Sequence, residues 1–268
     1  MLYYHNLTVF WIDILVFLVG LCIGSFLNVL IYRLPRRLSI VRPGSACPTC
    51  GHKLSWWENI PVISFLLLRG KCRKCSCNIS WKYPIVEILT ATLCTCLWFR
   101  FHFNIFLFLG YVYFVCVLIA IFFIDLEHYI IPDWLSIPGI VIGIIMFALV
   151  QGMSPIDSLI GAIVGAGLLE CIRLAYYFVT KREGMGFGDV KLMGMIGAFL
   201  GWFYIPIVIF ISAALGTLYA FVLMFLGKAN RQTKIPYGPF LAVAACITLF
   251  FGPQIMAWYR GLLAVRPF

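Results

Sequence analysis

At 268 residues, with 63% hydrophobic and only 11% charged side chains and a mean hydropathy of +1.01, the chain is far too apolar for a water-soluble domain. The composition points instead to an all-α polytopic membrane protein, since each helical span requires about 20 mostly apolar residues. The net charge of +10 is accounted for by membrane topology and anionic lipid, so no nucleic-acid partner is expected.

Eight spans are expected, at roughly 8–32, 83–99, 104–124, 132–150, 156–180, 191–203, 204–227 and 236–257. The sixth is short, and the pattern leaves its boundary with the seventh undefined. No basic stretch precedes the first apolar run and no small-residue cleavage site follows it. That run is therefore expected to stay as a span and not to be removed as a signal peptide. Basic residues set the orientation. Ten lie between Arg33 and Lys82, three between Lys181 and Lys191 and three between Lys228 and Lys234, whereas the opposite side holds Arg100, Arg260 and Arg266. Because Lys and Arg accumulate in cytoplasmic connections, segment 33–82 and the loops following 125 and 180 are expected to face the cytoplasm, with both termini outside.

In chain order, the first span carries Gly20 and Gly24, four residues apart, and the polar Ser25 and Asn28 toward its cytoplasmic end. Small residues at that spacing allow close helix contact. Asn28 is assigned to the helix interface or to a substrate contact. The only sizeable polar segment, 33–82, holds Cys47-Pro48-Thr49-Cys50 and Cys72-Arg73-Lys74-Cys75. Two such knuckles match a tetrahedral four-thiolate Zn²⁺ site formed by Cys47, Cys50, Cys72 and Cys75. Arg69, Lys71, Arg73 and Lys74 would offset its excess negative charge. A redox dithiol or a disulfide is the competing reading, the latter disfavoured in a cytoplasmic segment. Cys77 is a fifth thiol that the pattern does not place.

Between the knuckles, residues 56–70 are apolar but too short to span. They are expected to lie in the membrane interface with Trp56 and Trp57 at headgroup level. Glu58, Arg69 and Gly70 are the polar and turn-forming positions there that suit a small-molecule site. Glu87, one turn into the second span, is expected to be neutralised by a basic residue. Glu170 and Arg173, three apart on a helix, should neutralise each other. Gly161 and Gly165, like Gly197 and Gly201, repeat the small-residue spacing.

The third span ends in Ile124-Asp125-Leu126-Glu127-His128, and Pro132-Asp133 reads as a helix start with Asp133 as its cap. A second acid, in Gly184-Met185-Gly186-Phe187-Gly188-Asp189, falls at an equivalent depth where the next helix begins. Glycines permit a close approach of backbone or of an extended substrate. The plain reading is a Gly-rich turn with Asp189 as a helix-start residue. The chemical reading is a carboxylate pair, in which one member keeps a proton and polarises a carbonyl while the other takes a proton from water. A metal site of Asp125, His128 and Asp189 is a third possibility at this stage.

Taken together, Gly24-Ser25-Phe26-Leu27-Asn28-Val29, both CxxC knuckles, Glu58-Asn59-Ile60-Pro61, Leu68-Arg69-Gly70-Lys71-Cys72, Tyr83-Pro84-Ile85-Val86-Glu87, the 125–133 segment, Gly186-Phe187-Gly188-Asp189 and Ile235-Pro236-Tyr237-Gly238-Pro239-Phe240 resemble the type IV prepilin peptidase/N-methyltransferase family over nearly the whole chain. The resemblance implies a catalytic pair, Asp125 and Asp189, of the GxGD intramembrane aspartic protease class, with Gly186, Gly188 and Asn28 near the substrate. It implies type IV prepilins or pseudopilins as clients, S-adenosylmethionine as methyl donor with contacts from Glu58, Arg69 and Gly70, and a bacterial inner-membrane location. Three segments are expected: a first helix at 1–32, a zinc-binding, methyltransferase-associated domain at 33–82, and a multi-span peptidase domain at 83–268. A non-catalytic zinc-containing assembly factor and a transporter using intramembrane carboxylates are the alternatives, although no pair of matched halves is evident.

Overall fold

A computed structural model describes residues 2–150, 154–182, 184–228 and 233–264. Each of the eight expected segments forms a helix. The elements are α1 (Leu2–Arg33), a 3₁₀ turn at Trp56–Asn59, α2 (Ile63–Leu67), α3 (Lys82–Phe101), α4 (Ile105–His128), α5 (Asp133–Leu149), α6 (Pro155–Thr180), α7 (Phe187–Leu200), a 3₁₀ turn at Trp202–Tyr204, α8 (Ile205–Phe225) and α9 (Gly238–Ala264). Among the described residues six helices are long and apolar enough to cross a membrane. The 17 residues of α5 and the 14 of α7 are shorter; at 1.5 Å per residue α7 spans about 21 Å, less than a bilayer core of about 30 Å. Among the described residues the only β pairing is two isolated antiparallel bridges, Ala46 with Lys53 and Lys71 with Asn78. The chain divides into two compact units, Met1–Ala120 and Ile121–Phe268.

In the first unit, α1 and α3 pack antiparallel along a four-residue register. A Cβ on Gly20 would lie 2.6 Å from the Ala91 Cα, and one on Gly24 would lie 2.6 Å from the Glu87 Cα. One further step along, the Asn28 side-chain amide donates to the Tyr83 carbonyl at 3.1 Å. Both glycines are needed because no side chain fits where two backbones touch; a methyl group forced into either would cost about 1–3 kcal/mol or more. At the other end of the pair the Trp98 indole donates to Asp13 at 3.1 Å.

Among the described residues Glu87 is satisfied by hydrogen-bond donors in place of the expected ion pair. Its carboxylate accepts the Val62 N–H at 2.8 Å and a hydrogen bond from Ser25. A basic partner is unnecessary because these donors satisfy the buried group and tie the loop before α2 to the membrane helix. Val62 adopts φ 61°, ψ −48° to present its N–H. A β-branched residue there is strained by about 1–3 kcal/mol, which the surrounding contacts must outweigh. The apolar 56–70 segment folds as the 3₁₀ turn and α2, leaving Trp56, Ile63, Leu66 and Leu67 exposed and Trp57 half-buried.

The second unit is built around α7. From Leu192 onward its sequence is apolar on every side, and Val190, Leu192, Met193, Met195, Ile196, Ala198 and Phe199 are all buried. It packs against α5, α6, α8 and α9. Gly161 on α6 and Gly197 on α7 sit against each other's carbonyl oxygens, and the Ser158 hydroxyl donates to the Ala198 carbonyl at 2.7 Å. By contrast α8 turns Phe210, Leu218, Phe221 and Phe225 outward, as a lipid-facing helix does. On α6, Arg173 and Glu170 pair at 2.6 Å as their spacing requires.

Candidate active site and metal centre

Asp125 closes the last turn of α4 and Asp189 sits in the first turn of α7, both within the second unit. They are 5% and 7% exposed, so each carboxylate is almost wholly enclosed. A buried carboxylate needs donors, and glycine backbones supply them. Gly238 N–H donates to Asp125 Oδ2 at 3.0 Å, and Gly186 N–H donates to Asp189 Oδ2 at 3.2 Å. Asp189 thereby reaches back to the residue preceding its own helix, the reciprocal half of a capping box.

Ile131 joins the two halves. A Cβ on Gly188 would lie 2.9 Å from the Ile131 Cβ, and one on Gly238 would lie 3.1 Å from the Ile131 Cδ1. The residue beside Asp189 and the residue bonded to Asp125 therefore share one side chain as a wall. The carboxyls are also close enough for their charges to interact, and the Tyr237 phenol lies within the field of Asp189. That phenol is fixed by a 2.7 Å hydrogen bond with the Ser212 hydroxyl of α8.

Each aspartate commits one oxygen to a backbone donor. Among the described residues the other oxygen, Oδ1, has no hydrogen-bond partner, which leaves it for water and substrate. Two such carboxylates can divide the roles of acid and base.

Asp133 is not a cap. Pro132 occupies the cap position of α5 without a side-chain bond, and both oxygens of Asp133 accept from the Lys191 ammonium at 2.7 and 2.8 Å. This clamp ties the start of α5, directly after the 129–132 loop that carries Ile131, to α7. His128 does not join a metal cluster with Asp125 and Asp189; its Nε2 is enclosed without a partner.

Among the described residues the one group with metal-ligating atoms drawn together is Cys47, Cys50, Cys72 and Cys75, whose sulfurs all lie within 4.8 Å of one another. Cys47 and Cys75 are 3.9 Å apart, and Cys50 and Cys72 are 4.0 Å apart. A tetrahedron with Zn–S bonds of about 2.3 Å has edges of about 3.8 Å. The thiols therefore match the group the spacing calls for, at distances beyond any disulfide. Backbone N–H groups of Cys50 and Thr49 point at the Cys47 sulfur and pull its thiol down to about 6, favouring the thiolate that a metal needs. Arg73 stacks over the Trp57 ring at 5.3 Å, beside the second knuckle.

The remaining site residues separate. Arg69 and Gly70 line a cavity of about 430 Å³ with Phe65, Asn78, Ile79 and Trp81, a size that suits a small molecule. Its aromatic walls, Phe65 and Trp81, are 4.8 Å apart between ring centres. Arg69 and Gly70 take φ 53° and 67°, closing the turn after α2. Any side chain at Gly70 would meet the Phe65 ring at 3.2 Å.

Glu58 does not line this cavity. Its Oε2 accepts from the Ser55 N–H at 2.7 Å and meets His52 Nε2 at 3.3 Å, while Oε1 is enclosed and unpartnered. The Ser55 N–H above all, then the Ser55 side chain and His52, holds this carboxyl below the usual range. Asn28 stays in the α1–α3 contact with Oδ1 likewise unpartnered.

Residues 18–101 match the Bacterial Peptidase A24 N-terminal domain and residues 112–221 the Type IV leader peptidase family. A prepilin leader peptidase/N-methyltransferase of Aeromonas salmonicida is 38% identical over 282 residues, covering 93% of this chain and 94% of that protein. The chain belongs to this family. The Pseudomonas aeruginosa member is 36% identical over 273 residues, covering 90% and 91%, and that of Dichelobacter nodosus is 38% identical over 271 residues, covering 90% and 93%. No solved structure matches the chain.

Within this family's chain, reading the motifs one at a time left Gly238, Tyr237 and Ile131 without roles. The available signal was a glycine held between two prolines, Pro236-Tyr237-Gly238-Pro239, at the start of an apolar run. Only tertiary contact reveals that its N–H serves Asp125.

Proposed function

We propose that the protein cleaves the basic leader from type IV prepilins or pseudopilins and then methylates the new N-terminus with S-adenosylmethionine. The observation that carries the reading is the pair of enclosed aspartates, each anchored through Oδ2 by a glycine N–H, with Ile131 packed against both Gly188 and Gly238. One aspartate takes a proton from water as the oxygen attacks the scissile carbonyl. The other, protonated, donates to that carbonyl oxygen. On collapse of the tetrahedral diol the first aspartate gives its proton to the leaving nitrogen while a diol hydroxyl returns its proton to the second, so the pair ends with the one proton it began with. A leader joined to an apolar helix places its scissile bond where lipid meets cytosol, so the site works at the cytoplasmic face of a bacterial inner membrane. Gly186 and Gly188 lie along the extended peptide, and Asn28 offers its free oxygen to substrate.

Segment 33–82 serves the second reaction, with 1–32 as its preceding helix and 83–268 as the peptidase domain. Zinc held by Cys47, Cys50, Cys72 and Cys75 ties its two knuckles together. Arg69 and Gly70 contact the methyl donor in the cavity they line with Phe65 and Trp81, where a guanidinium suits the donor's carboxylate and the rings suit its base. Glu58, with a buried and unpartnered oxygen, suits positive charge on the donor or on the substrate amine. The donor supplies an electrophilic methyl group; the chain positions the amine and excludes water.

Purified protein in detergent, incubated with a prepilin and labelled S-adenosylmethionine, is expected to yield leader loss and then a gain of one methylene on the mature chain, read separately by mass spectrometry. Neither product would favour the assembly-factor or transporter reading. Arg69→Ala is expected to cut methylation about 10–100-fold, the loss of one charge-assisted hydrogen bond of about 1.5–3 kcal/mol, and to leave leader removal intact. Gly238→Ala should do the reverse. Its methyl group would lie 2.7 Å from Asp125 Oδ2, and a displaced reacting group costs on the order of 100-fold in cleavage rate. Timed single-turnover assays of both steps check these two outcomes.

A further inference from the structure

The two knuckles are copies of one backbone. In the first, Cys47 N–H donates to the His52 carbonyl at 2.9 Å and Gly51 N–H to the Cys47 carbonyl at 2.9 Å. In the second, Cys72 N–H donates to the Cys77 carbonyl at 2.8 Å and Ser76 N–H to the Cys72 carbonyl at 2.9 Å. Gly51 and Ser76 occupy the same position with φ 70° and 56°, and the bridges Ala46–Lys53 and Lys71–Asn78 close both turns alike. The sixth residue of each copy therefore leaves the turn at the same point. Both sixth residues are of metal-binding type, but they go to different places.

His52 is drawn off to the Glu58 carboxylate at 3.3 Å. Cys77 folds back onto the thiols, its Sγ 3.2 Å from Cys75 Sγ and 3.6 Å from Cys47 Sγ. Both contacts are as short as the 3.9 and 4.0 Å separations between the four clustered sulfurs, or shorter. Five thiols thus crowd a centre that takes four. Cys47 and Cys72 are buried, whereas Cys75 is exposed, so of the two thiols that Cys77 touches the nearer is also the one facing solvent.

We infer that Cys77 is an exchangeable zinc ligand, and that the second knuckle holds the metal through Cys72 together with either Cys75 or Cys77. This rests on the reading that the four-thiol cluster binds zinc. In the exchange the zinc bond to Cys75 sulfur breaks as one to Cys77 sulfur forms, and the Cys77 thiol proton passes to Cys75 across their contact. Charge, proton count and oxidation state are unchanged, so no further reactant is required. The metal stays anchored by Cys47, Cys50 and Cys72 throughout. The consequence is a site that tolerates loss or covalent capture of one ligand.

The test uses the full chain purified in detergent, with zinc measured by elemental analysis. Wild type is expected to hold about one zinc per chain and Cys72→Ser to lose it. Cys75→Ser should keep about one zinc per chain, and adding Cys77→Ser to it should empty the site. Loss of zinc from Cys75→Ser to the level of Cys72→Ser overturns the exchange. Absence of zinc from wild type instead removes the metal reading on which it rests. A second measurement avoids variants altogether: native wild type treated with N-ethylmaleimide and mapped by peptide mass spectrometry. Some molecules should carry the label on Cys75 and others on Cys77, with zinc retained. Label confined to Cys77, or absent from both, rules the exchange out.

Discussion

Asp125→Asn and Asp189→Asn are each expected to lower leader cleavage by about 10³-fold or more, within the contribution of a positioned acid or base. The substitution isolates chemistry from architecture. An asparagine keeps a carbonyl oxygen that can accept the Gly238 or the Gly186 N–H now bonded to the aspartate, so the backbone that builds the site should persist. What it removes is a group able to take or give a proton. Because the two carboxyls share one proton cycle, the double variant should be scarcely slower than either single one; groups acting as a unit are not additive. Rates are read from the mass of processed prepilin over time, with zinc content as the control for folding. Full cleavage by either variant would falsify the pair, and additive losses in the double variant would mean that each acid acts alone.

The second large effect concerns the metal. Cys47→Ser or Cys72→Ser is expected to empty the zinc site, open segment 33–82 to protease and bring methylation to background. The magnitude follows from linkage. Binding of a structural zinc to small Cys-rich peptides supplies about 10–16 kcal/mol, as much as the whole stability of an ordinary domain. Segment 33–82 has little else to hold it. Among its described residues the regular structure is the 3₁₀ turn, the five residues of α2 and two isolated bridges. Limited proteolysis beside elemental analysis checks the outcome. An unchanged metal content in either variant would sink the assignment of those thiols.

The residues of segment 33–82 also show where reading along the chain succeeds. Cys47, Cys50, Cys72 and Cys75 announce themselves by spacing, because a CxxC turn carries its geometry within four residues. Cys77 does not, since its meaning depends on a sulfur contact with Cys47, thirty residues away. Glu87 and Asp133 illustrate the same limit. Both were expected to follow local custom, an ion pair for one and a helix cap for the other. Their actual partners are the Val62 N–H, 25 residues away, and Lys191, 58 residues away. A buried carboxylate requires a donor, but sequence does not say whether side chain or backbone arrives first.

Hydrophobic run length, glycine spacing and the bias of basic residues are properties of the chain by itself. They were enough to locate eight helices and the small-residue face of the first span at Gly20 and Gly24. Packing alone decided that the 14 residues of α7 form the centre of the second unit, that Ile131 packs against both Gly188 and Gly238, and that a glycine 113 positions beyond Asp125 supplies its hydrogen bond. The division has one physical cause. Solvent partition and backbone preference act residue by residue and leave a periodic trace, whereas the donor that satisfies a buried group is chosen by whichever backbone the folded helices bring within about 3 Å, and that choice leaves no trace along the chain.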